Sequence, residues 1–252
     1  SRYYEHGLPE ILMTHPVTLN RIAEAKDRAA QFTSPGMVDQ PSFQIFRAKV
    51  RVLSSTKTQQ LEQQTLTLYR QQPSPELAYQ LALLETLNGT PKRAEERLNK
   101  LIKQQGIRPW FTIALADSLV KQQRYDEAVK LYQSALEIYT GNQGLTLNYA
   151  ELLLNRQQYQ QCAELLKEYL RNRPTATPAT YHLYAQAEDK LGNTIESFSA
   201  IAEYYYLNGQ STVAIQHLEN ASKLAKDDPY QLPAIEQRLE QIKAIALEEK
   251  QH

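Results

Sequence analysis

Four stretches of the chain carry one arrangement of apolar side chains. Ala82, Ala116, Ala150 and Ala185 are preceded directly by Leu81, Leu115, Tyr149 and Tyr184, and four positions earlier by Ala78, Thr112, Thr146 and Tyr181. That spacing puts the three positions on one side of a helix. Twelve residues after each alanine stands a mostly small residue, Ala94, Ala128, Cys162 or Ser197, and four positions beyond it Leu98, Tyr132, Leu166 or Ile201. A second helical stripe results. Between the two stripes lie turn signals at matching offsets: Asn88-Gly89 then Pro91, Gln123 then Tyr125, Gln158 then Tyr159, and Gly192-Asn193 before Thr194. Each copy therefore predicts a helical hairpin.

The first alanine advances by 34, 34 and 35 residues from copy to copy. Ala48 stands another 34 residues upstream, but its twelfth follower is Gln60, so the opening copy is degenerate, as terminal copies of stacked repeats are. After Ser197 the register slips. Ala202 and Ala214 again stand twelve apart, yet Ala202 follows Ala185 by 17, half a repeat. One helix, about Thr194 to Asn208, then serves two hairpins, with Asn208-Gly209 as the turn into Ser211 to Lys226. A last amphipathic helix, about Leu232 to Leu247, follows Asp227-Asp228-Pro229 and carries Ile235, Leu239, Ile242 and Ala246 to cap the stack. Five to six hairpins are expected. Small residues recur because a larger side chain at the crossing of two helices forces their axes apart.

These 34-residue units, over about residues 41–228, resemble the tetratricopeptide repeat. They depart from it in using Ala where that repeat often has Gly, and in lacking the closing Pro near Thr140, although Pro174 holds that place in the next copy. The fold class implied is all-α, a tetratricopeptide-repeat solenoid of stacked helical hairpins.

Composition agrees with helices and narrows the partners. Among 252 residues only eight are glycine, 42% are hydrophobic, and mean hydropathy is -0.57. The 27 glutamines fall mostly in pairs such as Gln71-Gln72 and Gln122-Gln123, which read as solvated helix surface. Twenty-eight basic residues balance 28 acidic ones, so the positive field needed to follow nucleic acid or an anionic bilayer is missing. No apolar run approaches 18 residues, so no transmembrane segment is expected. The single cysteine, Cys162, excludes an intrachain disulfide and reads as an inert packing residue. The opening at Ser1, without methionine or leader, reads as a fragment of a longer protein.

Residues 1–32 do not follow the period. They contain Tyr3-Tyr4-Glu5-His6-Gly7, the run Ile11-Leu12-Met13, and Thr14-His15-Pro16 before Arg21-Ile22 and a helix over Ala23 to Ala30. Thr14-His15-Pro16 with that helix is similar to the close of the catalytic domain in Ste24/HtpX-type zinc metallopeptidases. Together with Ala202-Glu203-Tyr204-Tyr205-Tyr206-Leu207-Asn208-Gly209 and Lys226-Asp227-Asp228-Pro229-Tyr230, it resembles the periplasmic metalloprotease-chaperones of the BepA (YfgC) type. The resemblance implies two parts. Residues 1–38 would be the C-terminal remnant of the metallopeptidase domain with a linker, and residues 39–252 the solenoid with its capping helix. It also implies zinc in the parent protein, a periplasmic location, and a role in docking the protease-chaperone onto outer-membrane β-barrel assembly machinery and unfolded or stalled barrel proteins. The repeats alone equally allow a generic scaffold without a protease parent.

The chain itself is not expected to be an enzyme. A zincin helix needs two histidines one turn apart with a glutamate beside the first. None of His6, His15, His182, His217 and His252 is followed by Glu, and no two are four apart. No cofactor is expected for this chain. His15 either contributes to the missing zinc site or hydrogen-bonds backbone at a helix entry.

In such a stack the first helices line the binding wall. Positions three before and one after the first-helix alanine give Tyr79, Leu83, Ile113, Asp117, Leu147, Glu151, His182 and Gln186, and the half-step adds Glu203 and Tyr206. The alternative for each is helix surface or inter-repeat packing, above all for Tyr79 and Leu147. The row mixes apolar and acidic groups and lacks the Lys/Asn/Arg set that clamps a carboxylate. It therefore suits an extended or helical segment with apolar anchors.

Overall fold

The computed structural model describes residues 41–171 and 176–249. The chain divides into two compact units, residues 1–44 and 45–252, and of the first only residues 41–44 are described. Thr14-His15-Pro16, the expected boundary at 38/39 and Pro174 lie outside the described residues.

Among the described residues there are twelve helices and no strand: α1 Pro41–Leu53, α2 Thr58–Gln71, α3 Pro75–Leu87, α4 Pro91–Gln105, α5 Pro109–Lys121, α6 Tyr125–Ile138, α7 Gln143–Asn155, α8 Tyr159–Arg171, α9 Pro178–Leu191, α10 Thr194–Leu207, α11 Ser211–Leu224 and α12 Leu232–Glu249. Their starts are written locally. Pro75, Pro91, Pro109 and Pro178 open α3, α4, α5 and α9, where a missing N–H costs nothing and the fixed φ already suits a helix. Ser74 and Asn142 cap α3 and α7, their side-chain oxygens accepting from Leu77 N at 3.4 Å and Leu145 N at 3.0 Å.

The predicted crossings hold the hairpins α3/α4, α5/α6, α7/α8 and α9/α10 together. Ala82 and Ala94, Ala116 and Ala128, and Ala150 and Cys162 are all fully buried. Where the second residue of a pair is polar, it bonds the backbone it crosses: Ser197 Oγ donates to Ala185 O at 3.1 Å, and Cys162 Sγ approaches Ala150 O at 3.5 Å. Burial pushes the Cys162 thiol up to about 12, so it has no thiolate to offer. In the opening copy Ala48 is buried but Gln60 is exposed; α1 enters the main core through Ile45 and Ala48, while Val52, Leu61 and Leu84 form a small cluster joining α1, α2 and α3.

A second repeating device lies in the turns. Positive φ occurs at Gly89, Gln123, Gln157, Gly192 and Gly209, in step with the alanines. At each turn the next residue's N–H reaches back five positions, Thr90 to Glu85 O, Arg124 to Leu119 O, Gln158 to Leu153 O, Asn193 to Glu188 O and Gln210 to Tyr205 O, at 2.8–3.0 Å. This closes the last open carbonyls of each first helix. The turn marker between α7 and α8 is thus Gln157 rather than Gln158.

First helices are packed on several sides, and α5 buries eight of its thirteen residues, whereas α4 buries only the stripe Ala94, Leu98 and Leu101. One apolar core runs from Ile45 through Ala187, and a second joins Ala202, Ala214, Leu218, Ala221, Ala225, Ile235, Leu239 and Ile242. The slip in register falls between them. Helix α10 packs on both α9 and α11, and α12 packs on α11.

Ala128→Leu is expected to cost about 1–3 kcal/mol through overpacking at the α5/α6 crossing, read as a drop in Tm with the helical signal retained. Gln123→Gly should do the opposite. Relief of a left-handed residue, worth about 1–2 kcal/mol, exceeds glycine's extra entropy of about 0.5–1 kcal/mol, so thermal melting should show a small rise.

Candidate functional site

First helices touch one another along the stack, α3 with α5, α5 with α7, and α7 with α9. Their free sides thereby form one strip. Exposed along it are Asp117, Glu151 and Gln186, with Leu83, Leu147 and His182 half-buried. Tyr79 and Ile113 are turned inward: Tyr79 is 1% exposed, with its ring 5.7 Å from Phe111, and Ile113 is also buried. Trp110 packs edge-on to Phe111 at 6.1 Å. The His182 ring lies 4.9 Å from that of Tyr204, and Gln186 Nε2 stands 3.4 Å from His182 Nε2.

Glu203 and Tyr206 have a different neighbour. Arg238 of α12 donates to both Glu203 oxygens, at 2.6 and 2.7 Å, and its guanidinium lies 4.7 Å from the centre of the Tyr206 ring. This end of the row is joined to α12. Beside it a cleft of about 450 Å³ is lined by Leu170, Tyr181, Tyr184, Ala234 and Arg238, among others.

Midway along the strip a cleft of about 300 Å³ opens among α5, α6 and α7, with Asp117, Tyr125, Tyr132, Asn148, Glu151, Asn155 and Arg156 in its wall. Tyr132 forms its inner end: it is 2% exposed, and its ring stacks on Tyr149 at 5.5 Å. Arg156 lies over the Tyr125 ring at 4.5 Å. The Asp117 carboxyl is pushed up to about 6, first by desolvation within the cleft; Lys49 of α1 opposes that, Glu151 adds to it, and Lys121 opposes it. Burial, then Asp117 and Glu151, raise the Tyr132 phenol well above its ordinary value.

Sequence offsets locate Asp117 and Glu151 but miss their companions. Tyr132 reads only as a repeat position of a second helix. Asn148 and Asn155 stand three before and four after Glu151, a spacing that puts all three on one face, and that is the signal that finds them. Among the described residues no group of three or more His, Cys, Asp and Glu could hold a metal ion. No described helix is long and apolar enough to cross a membrane.

The fold is a tetratricopeptide-repeat solenoid, an architecture that suggests protein–protein interaction. The family model described as tetratricopeptide repeat matches residues 119–187. Among curated proteins, the chain is similar to the beta-barrel assembly-enhancing protease of Escherichia coli strain K12, 30% identical over 249 residues, covering 96% of this chain and 50% of that protein. It is also similar to the putative beta-barrel assembly-enhancing protease of Vibrio cholerae, 25% identical over 229 residues, covering 88% of this chain and 47% of that protein. The chain spans about half the length of these relatives. A solved structure of Pseudomonas aeruginosa pilF shares the fold, with a TM-score of 0.50 at 15% identity, covering 77% of this chain and 96% of that one.

The raised Asp117 carboxyl links stability to pH. Its folded value, about 6, exceeds the ordinary 3.8, so the ionised side chain disfavours folding above about pH 6, and that penalty fades as pH falls toward 4. Asp117 keeps an exposed edge, and solvent screening reduces the size of the effect. Asp117→Asn should therefore raise the Tm by roughly 2 °C at pH 7.5 and leave it unchanged at pH 4.

Proposed function

We propose that this chain is the protein-binding domain of a periplasmic zinc metalloprotease-chaperone, docking it onto outer-membrane β-barrel assembly machinery and onto unfolded or stalled barrel proteins. The observation that carries this reading is the alignment over 96% of the chain with a protein named a beta-barrel assembly-enhancing protease. The zinc chemistry then belongs to the other half of the longer protein, and residues 1–38 are the C-terminal remnant of its metallopeptidase domain with a linker. The strip formed by α3, α5, α7 and α9 is the binding wall. Its half-buried Leu83 and Leu147 offer apolar contact, while exposed Asp117, Glu151 and Gln186 set polar limits on what can lie there.

The test uses the full-length protein in cells, with a photo-crosslinking side chain at Leu83, Asp117 or Gln186, and with Lys100 on α4 as a control away from the strip. Capture of barrel-assembly components or barrel proteins from the first three positions, at least fivefold above Lys100, is the expected result. Capture of unrelated proteins alone, or equal capture from Lys100, overturns the reading. The complete gene provides a second check: a His-Glu-x-x-His helix upstream is required.

A further inference from the structure

Carboxylates at the helix contacts of this unit are engaged by arginine or by a side-chain amide, as Glu188 is by Asn193 and Glu196 by Gln231. Arg97 donates to both oxygens of Glu85 at 3.0 and 2.7 Å, Arg124 reaches Glu95 at 2.6 Å, and Arg238 holds Glu203. Asp117 and Glu151 differ in having neither. Both stand in the wall of the cleft among α5, α6 and α7, and neither has a hydrogen-bond or ion-pair partner among the described residues. Lys49, Lys121 and the cleft's own Arg156 are the nearby cations. Lys49 and Lys121 act on Asp117 through space without closing an ion pair, and Arg156 is directed at the Tyr125 ring.

Tyr132 supplies an independent sign. Its side chain is almost wholly buried, yet it lines the cleft, and its hydroxyl has no hydrogen-bond partner among the described residues. The hydroxyl is near enough to Asp117 and Glu151 to feel both charges. The ring is held in the core while the hydroxyl oxygen opens onto the cleft, where it is free to take a partner from an incoming group. Asn148 and Asn155 widen the set of acceptors with their side-chain carbonyls. Two free carboxylates, a free phenol and two amides converge on a space large enough for a side chain but short of positive charge at its centre. An anion placed there would meet repulsion. A guanidinium or ammonium group would instead donate charge-assisted hydrogen bonds to these oxygens at little cost in reorganisation.

We infer that the cleft bounded by Asp117, Glu151 and Tyr132 is a specificity pocket for a lysine or arginine side chain of the protein segment bound along the first helices. The inference rests on the binding wall proposed above and adds a charge requirement to it: a client segment presents a basic residue opposite α5 and α7, flanked by apolar ones.

The 252-residue chain is titrated at pH 7.5, where Asp117 is ionised, with N-butylguanidinium, n-butylammonium and the neutral isostere N-butylurea. The side-chain amide signals of Asn148 and Asn155 are followed by NMR. Saturable shifts of these amides with either cation are expected, at least tenfold tighter than with the urea and lost in Asp117→Asn/Glu151→Gln. Stronger response to one cation identifies the arginine or lysine form of the pocket. Absence of saturable shifts with both cations, equal response to the urea, or cation binding unchanged in the double variant overturns the inference. Tyr132→Phe, which keeps the packing, should weaken cation binding about threefold; no change removes the phenol from the pocket. None of these outcomes depends on identifying the client. Failure here with successful crosslinking discards the charge requirement alone, whereas failed crosslinking discards the binding wall.

Discussion

Two helix backbones can approach closely only where side chains are absent or minimal, and the architecture depends on that condition being met once in each hairpin from α3 onward. Ala116 against Ala128 and Ala150 against Cys162 are contact points of zero exposure. Each fixes the spacing of two rods and, through them, the position of the next hairpin. Dispersion contacts then accumulate along the stripes on either side, individually weak but numerous. The two polar exceptions are instructive. Ser197 and Cys162 remain small and direct their heteroatoms at the carbonyl they cross, so close approach is kept and no buried polar atom is stranded.

That condition made the fold readable, because size at fixed intervals leaves a trace in sequence whatever the surrounding residues are. The turns are only partly readable. Gly89, Gly192 and Gly209 announce a left-handed residue by their type, but Gln123 is marked only by its offset before Tyr125 and Gln157 stands one position before the expected Gln158; there the hydrogen bond closing the preceding helix overrides the intrinsic preference. Depth is less readable than direction. The offset that points Leu83 and Asp117 along the strip also selects Tyr79, which α5 covers through Phe111. Glu203 and Tyr206 meet Arg238 from 32 to 35 residues away, a distance at which local periodicity carries no information.

The candidate site is likewise half visible. Asp117 and Glu151 follow from register, while the cleft between them exists because a second-helix tyrosine, Tyr132, passes behind the first helices and stacks on Tyr149. The contrast among carboxylates is physical. Glu85 and Glu203 sit at helix contacts, where an unpaired charge would be expensive, and each is matched by an arginine. Asp117 and Glu151 retain access to water, and their charge remains available to an incoming group.

In a simple linear array each module melts nearly independently, and the free end frays first. Helix α10 breaks that simplicity, for it contributes one flank to the hairpin with α9 and the other to the hairpin with α11. Loss of α11 and α12 therefore uncovers the Ala202 face of a helix that its upstream neighbour α9 also needs. Through α10 the last four helices are thus physically coupled, and a disturbance at α12 can reach α9 by way of α11 and α10.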